Sequence, residues 1–216
     1  MNSTDPTTTP KPRRRWLQFS LRTLLVLVLV IGCGFGWLGM KLRKAREQRE
    51  AVKAIEKLGG WVSYEDASSS KIRTAVVWVG KLLGEDLSGD VRYVDLSETQ
   101  VTDAGLKHLR GLTQLQVLTL DSTQVTDAGL EHLRGLTQLR ELQLANTQVT
   151  DAGLEHLRGL TQLGLLDLGR TQGTDAGLEH LKGLTQLRNL YLANTQVSDA
   201  GVNELKKALP ELDFRR

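Results

Sequence analysis

TQVTDAGLEHLRGLTQL occupies residues 123–139 and recurs, letter for letter, at 147–163, with the seven residues RELQLAN at 140–146 between the copies. TDAG begins at Thr102, Thr126, Thr150 and Thr174, and SDAG at Ser198, each 24 residues after the last. A fixed period of this length marks a stack of identical supersecondary units, none of which can bury its apolar face alone. Within one unit the apolar positions are Leu115, Leu118, Leu120, Val125, Leu130, Leu133 and Leu136. The first three, spaced L-x-x-L-x-L, suit a short strand with one side buried, and the later ones recur at helical spacing.

These residues resemble the leucine-rich repeat family, in its ribonuclease-inhibitor-like branch with a strand and a helix per turn. The resemblance covers residues 91–214 and implies an α/β solenoid of five repeats. It places Thr123, Thr147, Thr171 and Thr195 where many family members carry Asn or Cys, a ladder expected to satisfy the backbone of the neighbouring turn. Asp103, Asp127, Asp151, Asp175 and Asp199 each precede a helix and are expected to cap it, because a carboxylate accepts from free N–H groups at the positive end of the dipole. Gly111, Gly135, Gly159 and Gly183 fall where each helix must stop, a place that favours the left-handed conformation. Leu209, Leu212 and Phe214 repeat the strand spacing 22 residues after Leu187, Leu190 and Leu192, and are expected to form a closing strand.

Near-identity of the units makes their differences informative. Residues alternating with the strand leucines point outward onto what the resemblance makes the concave sheet. At equivalent positions they read Tyr93-Asp95-Ser97, Val117-Thr119-Asp121, Glu141-Gln143-Ala145, Leu165-Asp167-Gly169 and Asn189-Tyr191-Ala193. The scaffold is copied while this surface is not. Tyr93, Asp95, Val117, Thr119, Glu141, Gln143, Leu165, Asp167, Asn189 and Tyr191 are therefore the candidate binding residues, for a protein or peptide partner.

Repetition also argues against catalysis. His108, His132, His156 and His180 stand 24 apart, forming a ladder of identical groups rather than a convergence of different ones. The same holds for calcium binding by the repeated aspartates, and no nucleophile with a base, paired-carboxylate site or phosphate loop occurs elsewhere. No enzyme, cofactor or metal is expected.

The net charge of +3 hides an asymmetry, because residues 1–60 carry 12 Lys and Arg against 4 Asp and Glu, whereas residues 61–216 carry 16 against 21. A nucleic-acid-binding domain needs its basic patch on the folded surface, and here the repeats are acidic. The basic residues instead flank TLLVLVLVIGCGFGWLGM, residues 23–40, which holds no charge. Eighteen helical residues reach about 27 Å, near the thickness of a bilayer core. Trp16 and Trp37 lie where aromatic belts form. The chain thus reads as a basic tail at 1–22, a transmembrane helix at 23–40, a charged stalk helix at 41–60, a solenoid cap at 61–90 and repeats at 91–216.

Rival readings of the apolar run fare worse. No small-residue cleavage site follows it, as a signal peptide requires. Val30-Ile31-Gly32-Cys33 is similar to a lipoprotein lipobox, yet the apolar run continues to Met40. The spelling G-x-G-x-x-G at 34–39 lacks the strand, helix and acidic residue of a dinucleotide site. Gly32 and Gly36 share a helix face and suit a close-packed homodimer. In the cap, WVSY at 61–64 reads as a strand and AVVWVGKLL at 75–83 as a helix.

The whole chain is also similar to membrane-anchored leucine-rich-repeat proteins of bacteria, which implies an inner-membrane location. Within about twenty residues of the span, five basic residues precede it and seven follow it, a count that taken alone favours cytoplasmic repeats. The leading Arg13-Arg14-Arg15 cluster resembles the n-region of a signal anchor, so the expected topology places the repeats outside the cytoplasm. A self-associating structural component of the cell envelope is the alternative.

Overall fold

The computed structural model describes residues 21–64 and 90–216, with backbone alone for residues 21–35, 37 and 38. The chain divides into two compact units, Met1–Lys41 and Leu42–Arg216. In the first, the backbone is helical from Leu21 as the start of α1 (Leu21–Lys57). Among the described residues no helix is long and apolar enough to cross a membrane, and most side chains of the span expected at 23–40 lie outside the described residues. So do Gly32, the tail at 1–20 and the helix expected at 75–83.

The second unit is a stack around one seven-stranded sheet, with strands in sequence order. Strand β1 (Trp61–Tyr64) runs antiparallel to β2 (Val91–Asp95), and β3 (Val117–Thr119), β4 (Glu141–Gln143), β5 (Leu165–Asp167), β6 (Asn189–Tyr191) and β7 (Asp213–Arg215) follow in parallel. The register advances by one unit per strand, so Tyr93, Val117, Glu141, Leu165, Asn189 and Asp213 form one row and Leu118, Leu142, Leu166, Leu190 and Phe214 the next. The closing strand is therefore set two residues later than expected. Phe214, not Leu212, pairs with Leu190, while Leu209 and Leu212 are buried ahead of the strand.

Opposite each strand the chain makes a single α-helical turn, α2 (Asp103–Leu106), α3 (Asp127–Leu130), α4 (Asp151–Leu154) and α5 (Asp175–Leu178). Each runs into a tighter three-residue-per-turn segment such as Glu131–Leu133, instead of continuing as the one helix expected. The cause is legible in the spacing: Leu130, Leu133, Leu136 and Leu139 are three apart and all fully buried, and side chains three apart eclipse in a 3₁₀-helix but drift in an α-helix. Only the last unit has a longer helix, α6 (Asp199–Ala208).

Three devices lock the units, and two differ from their expected form. Thr99, Thr123, Thr147, Thr171 and Thr195 each donate their hydroxyl to the carbonyl three residues earlier, at 2.6–2.8 Å. The threonine ladder thus closes its own turn rather than satisfying the neighbouring one. The repeated aspartate likewise does not cap its own helix. Thr126, Thr150 and Thr174 do that, accepting from Ala128, Ala152 and Ala176. The carboxylate of Asp127 instead reaches the next unit, accepting from the backbone N–H and the hydroxyl of Thr150, both at 2.7 Å. Asp103, Asp151 and Asp175 repeat the staple to Thr126, Thr174 and Ser198.

This staple explains the glycine of TDAG. A Cβ at Gly129, Gly153, Gly177 or Gly201 would lie 2.2–2.4 Å from the carboxylate oxygen arriving from the preceding unit. Gly111, Gly135, Gly159 and Gly183, expected in the left-handed conformation, are not in it, and a Cβ at Gly135 or Gly183 meets nothing within 4 Å. The left-handed residues are Glu98, Ser122, Asn146, Arg170 and Asn194, with φ of 55–57°, where the chain leaves the strand. Short polar Asn tolerates that conformation better than Glu or Arg.

The helix expected to form a stalk has a structural task at its C-terminal half. Ala51, Val52 and Ile55 are buried in the same cluster as Val91, Val94, Leu96 and Val101, and so close the first turn of the stack. Lys44 holds Asp90 at 2.9 Å beside it. The turn after the helix uses Gly59, whose φ is +86°, and Gly60, where a Cβ would press to 2.6 Å on Leu96 and 2.9 Å on the carbonyl of Asp95.

Candidate functional site

All ten candidate residues lie on strands β2–β6, on the sheet face opposite the leucines. Leu118, Leu142, Leu166 and Leu190 are at most 1 % exposed, and strand alternation turns their neighbours to the other side. Register then assembles two rows. Tyr93, Val117, Glu141, Leu165 and Asn189 make the first, and Asp95, Thr119, Gln143, Asp167 and Tyr191 the second. Asp121 stands two residues beyond Thr119 on the same side.

This face carries more acid than base. Asp95, Asp121, Glu141 and Asp167 occupy four successive strands or the turns after them, and β7 adds Asp213; on the same count the cations are Arg92 on β2, Arg170 in the turn after β5 and Arg215 on β7, which lies 5.7 Å over the ring of Tyr191. Arg140 and Arg188 stand just before β4 and β6, outside the rows. Asp95 and Asp167 are oriented by their own turns and Asp121 by the turn of the next unit. Asp95 Oδ1 accepts from the backbone and hydroxyl of Ser97 at 2.9 and 2.5 Å, Asp121 Oδ1 from Ala145 N–H at 2.7 Å, and Asp167 Oδ1 from Gly169 N–H at 2.8 Å. Burial pushes the Asp121 carboxyl above its ordinary value, the Ala145 bond opposes this, and the charges of Asp167 and Asp95 add to the rise.

Two features were not visible in the sequence. Thr119 is 6 % exposed and its hydroxyl has no hydrogen-bond partner. Leaving such a group unpaired costs about 1–3 kcal/mol, so it is an uncommon thing to keep. At the sheet edge, Trp61 is 61 % exposed and packs edge-on against Tyr93 with ring centroids 5.4 Å apart. WVSY is a strand by its composition, but its pairing with Tyr93 follows from an antiparallel register that no short-range pattern specifies.

The repeated histidines occupy the opposite side of the stack in a ladder of their own. Nδ1 of His132 accepts from Arg110 at 2.6 Å, that of His156 from Arg134 at 2.5 Å, and that of His180 from Arg158 at 2.5 Å. Each imidazole joins one unit to the preceding one. Among the described residues no group of three or more His, Cys, Asp or Glu is placed to hold a metal ion.

Residues 135–157 match the family model described as Leucine Rich repeat. Among solved structures, an internalin from Listeria monocytogenes is similar at 24% identity over 53% of this chain and 38% of its own, with a TM-score of 0.38. The ectodomain of the receptor kinase SOBIR1 from Arabidopsis thaliana is similar at 19% identity, covering 76% of this chain and 88% of its own, with a TM-score of 0.45. Internalin C2 from Listeria monocytogenes gives 23% identity, 63% and 79% coverage, and a TM-score of 0.36. The chain thus spans little more than a third of the first of these. No curated protein matches it.

Proposed function

We propose that this protein, a leucine-rich repeat chain, is a membrane-anchored, non-catalytic module that binds a protein or peptide on the open face of its sheet. One observation carries the reading: units that nearly copy their buried leucines and their TDAG segments differ in the two in-register rows of that face. A rigid, continuous sheet with varied side chains offers a preorganised surface, and preorganisation lowers the entropy lost on binding. Supporting the anchor are the 18 uncharged residues at 23–40 and the basic residues on both sides. In this reading the span is a signal anchor in a bacterial inner membrane, the repeats lie outside the cytoplasm, and Gly32 and Gly36 pair two copies.

The test is photo-crosslinking in cells. A photoreactive residue at Val117 or Leu165 should give adducts with another protein, and one at Glu131 or Glu155, on the other side, should not. Adducts from the second pair alone would remove the binding face from the sheet. Location is checked separately by fusing, after Arg216, a reporter active only outside the cytoplasm, with a cytoplasm-only reporter as control.

A further inference from the structure

Resting on that reading of the open face, we propose that its partner presents a segment rich in lysine or arginine, held along the sheet by Asp95 and Asp167, in the row that contains Thr119, and by Asp121, two residues beyond that threonine. The first observation is charge. On the strands β2–β7 and the turns after them stand Asp95, Glu98, Asp121, Glu141, Asp167 and Asp213 against Arg92, Arg170 and Arg215, and Arg215 lies at the far strand against Tyr191. The second is independent of charge: Thr119, 6 % exposed and next to Asp95 in register, keeps a hydroxyl without a partner. Its neighbour in register, Gln143, has its amide turned to Glu141 at 2.5 Å and does not serve it. Among the described residues Oδ2 of Asp121 and of Asp167 also takes no hydrogen bond, since each carboxylate accepts a backbone N–H on Oδ1, from Ala145 and Gly169.

Acceptors are thus left over, and an ammonium or guanidinium supplies donors with no acceptor of its own. Spacing decides between a single ion and an extended segment. Neighbouring strands are about 4.8 Å apart and same-face residues on one strand about 7 Å, so Asp95 and Asp167, three strands apart, are about 14 Å from each other. A metal ion needs its oxygens within about 2.6 Å. An extended peptide, whose alternate side chains also recur at about 7 Å, matches the separation. Tyr93 and Trp61 at one edge offer rings to its alkyl stems or cationic heads.

The experiment uses the full chain in detergent micelles and a fluorescein-labelled oligolysine peptide, followed by anisotropy, with labelled oligoglutamate as comparison. Oligolysine should bind, more weakly as salt rises, and oligoglutamate should not. Neutralising the face with Asp95→Asn, Asp121→Asn and Asp167→Asn together should weaken binding by about 10- to 100-fold. Glu131→Gln, Glu155→Gln and Glu179→Gln remove the same charge from the other side and should change it less than about twofold. Thr119→Val keeps the shape and removes the hydroxyl; it should weaken binding at least about threefold with the fold intact by circular dichroism. Equal loss from both triple variants would mean attraction to net charge and would overturn the proposal, as would an unaltered Thr119→Val. Adducts from Val117 or Leu165 without oligolysine binding would reject the cationic partner and leave the binding face standing. Absence of those adducts would reject the face itself.

Discussion

Replacing Gly173 with valine should stabilise the repeat domain, and the size of the effect can be worked out from the stack. The equivalent residues Val101, Val125, Val149 and Val197 are between 0% and 5% exposed, and Gly173 is buried in the same file. A Cβ built on Gly173 meets only the hydroxyl oxygen of Thr171 at 3.7 Å, an ordinary contact, and φ there is not positive. The backbone bond from Gln196 N–H to the Gly173 carbonyl, 3.2 Å, involves no atom that changes. Three buried carbons at about 0.8 kcal/mol each give about 2.4 kcal/mol. Reduced freedom of the unfolded chain adds about 0.5 kcal/mol, so the expected gain is about 2–3 kcal/mol. For a domain of this size that raises Tm by about 5–10 °C. Far-UV circular dichroism of the full chain, wild type against Gly173→Val, reads the shift, with Val149→Gly expected to lose a similar amount. An unchanged or lower Tm in Gly173→Val, with Val149→Gly behaving as expected, would refute the idea that the glycine leaves room, and would mean that neighbouring side chains have closed over it.

The two glycine series should respond in opposite ways to alanine. Gly153→Ala drives a methyl into the carboxylate of Asp127 and should cost about 2–4 kcal/mol, whereas Gly135→Ala, with open space around it, should be neutral or slightly stabilising by denaturant titration. Arg170→Asn relieves a left-handed backbone at φ 55° and should raise stability by about 0.5–1 kcal/mol; a loss would show that Arg170 makes a compensating contact. Asp121→Asn should raise Tm near neutral pH. With its folded pKa above the ordinary 3.8, the ionised carboxylate destabilises the native state above that folded value, and the penalty disappears as the pH falls through it. The variant's advantage should therefore vanish in melts at about pH 3.5, below both values, and an advantage that persists there would assign the effect to packing rather than charge.

How much of this was legible in the letters depends on whether an interaction stays within one unit or crosses to the next. Period, strand position and the outward rows were readable because each is a local pattern: L-x-x-L-x-L fixes which side of a strand is buried, and the 24-residue repeat fixes the register. The solenoid architecture and the placement of the ten candidate residues followed from those two facts. TDAG shows where that approach stops. Read inside one unit, Asp127 is a helix cap and Gly135 a helix stop, both sound local assignments. In the stack, Thr126 already caps that helix, which frees the carboxylate of Asp127 to reach Thr150 and makes Gly153 the glycine that cannot be replaced. The same logic governs the face. That Thr119 would lack a partner depends on Gln143 turning to Glu141 one strand away, a choice among equally allowed rotamers that no residue near Thr119 in the sequence decides. Copying fixes the scaffold, so the information specific to this chain lies where copies were abandoned, and there the consequences appear only once neighbouring turns are stacked.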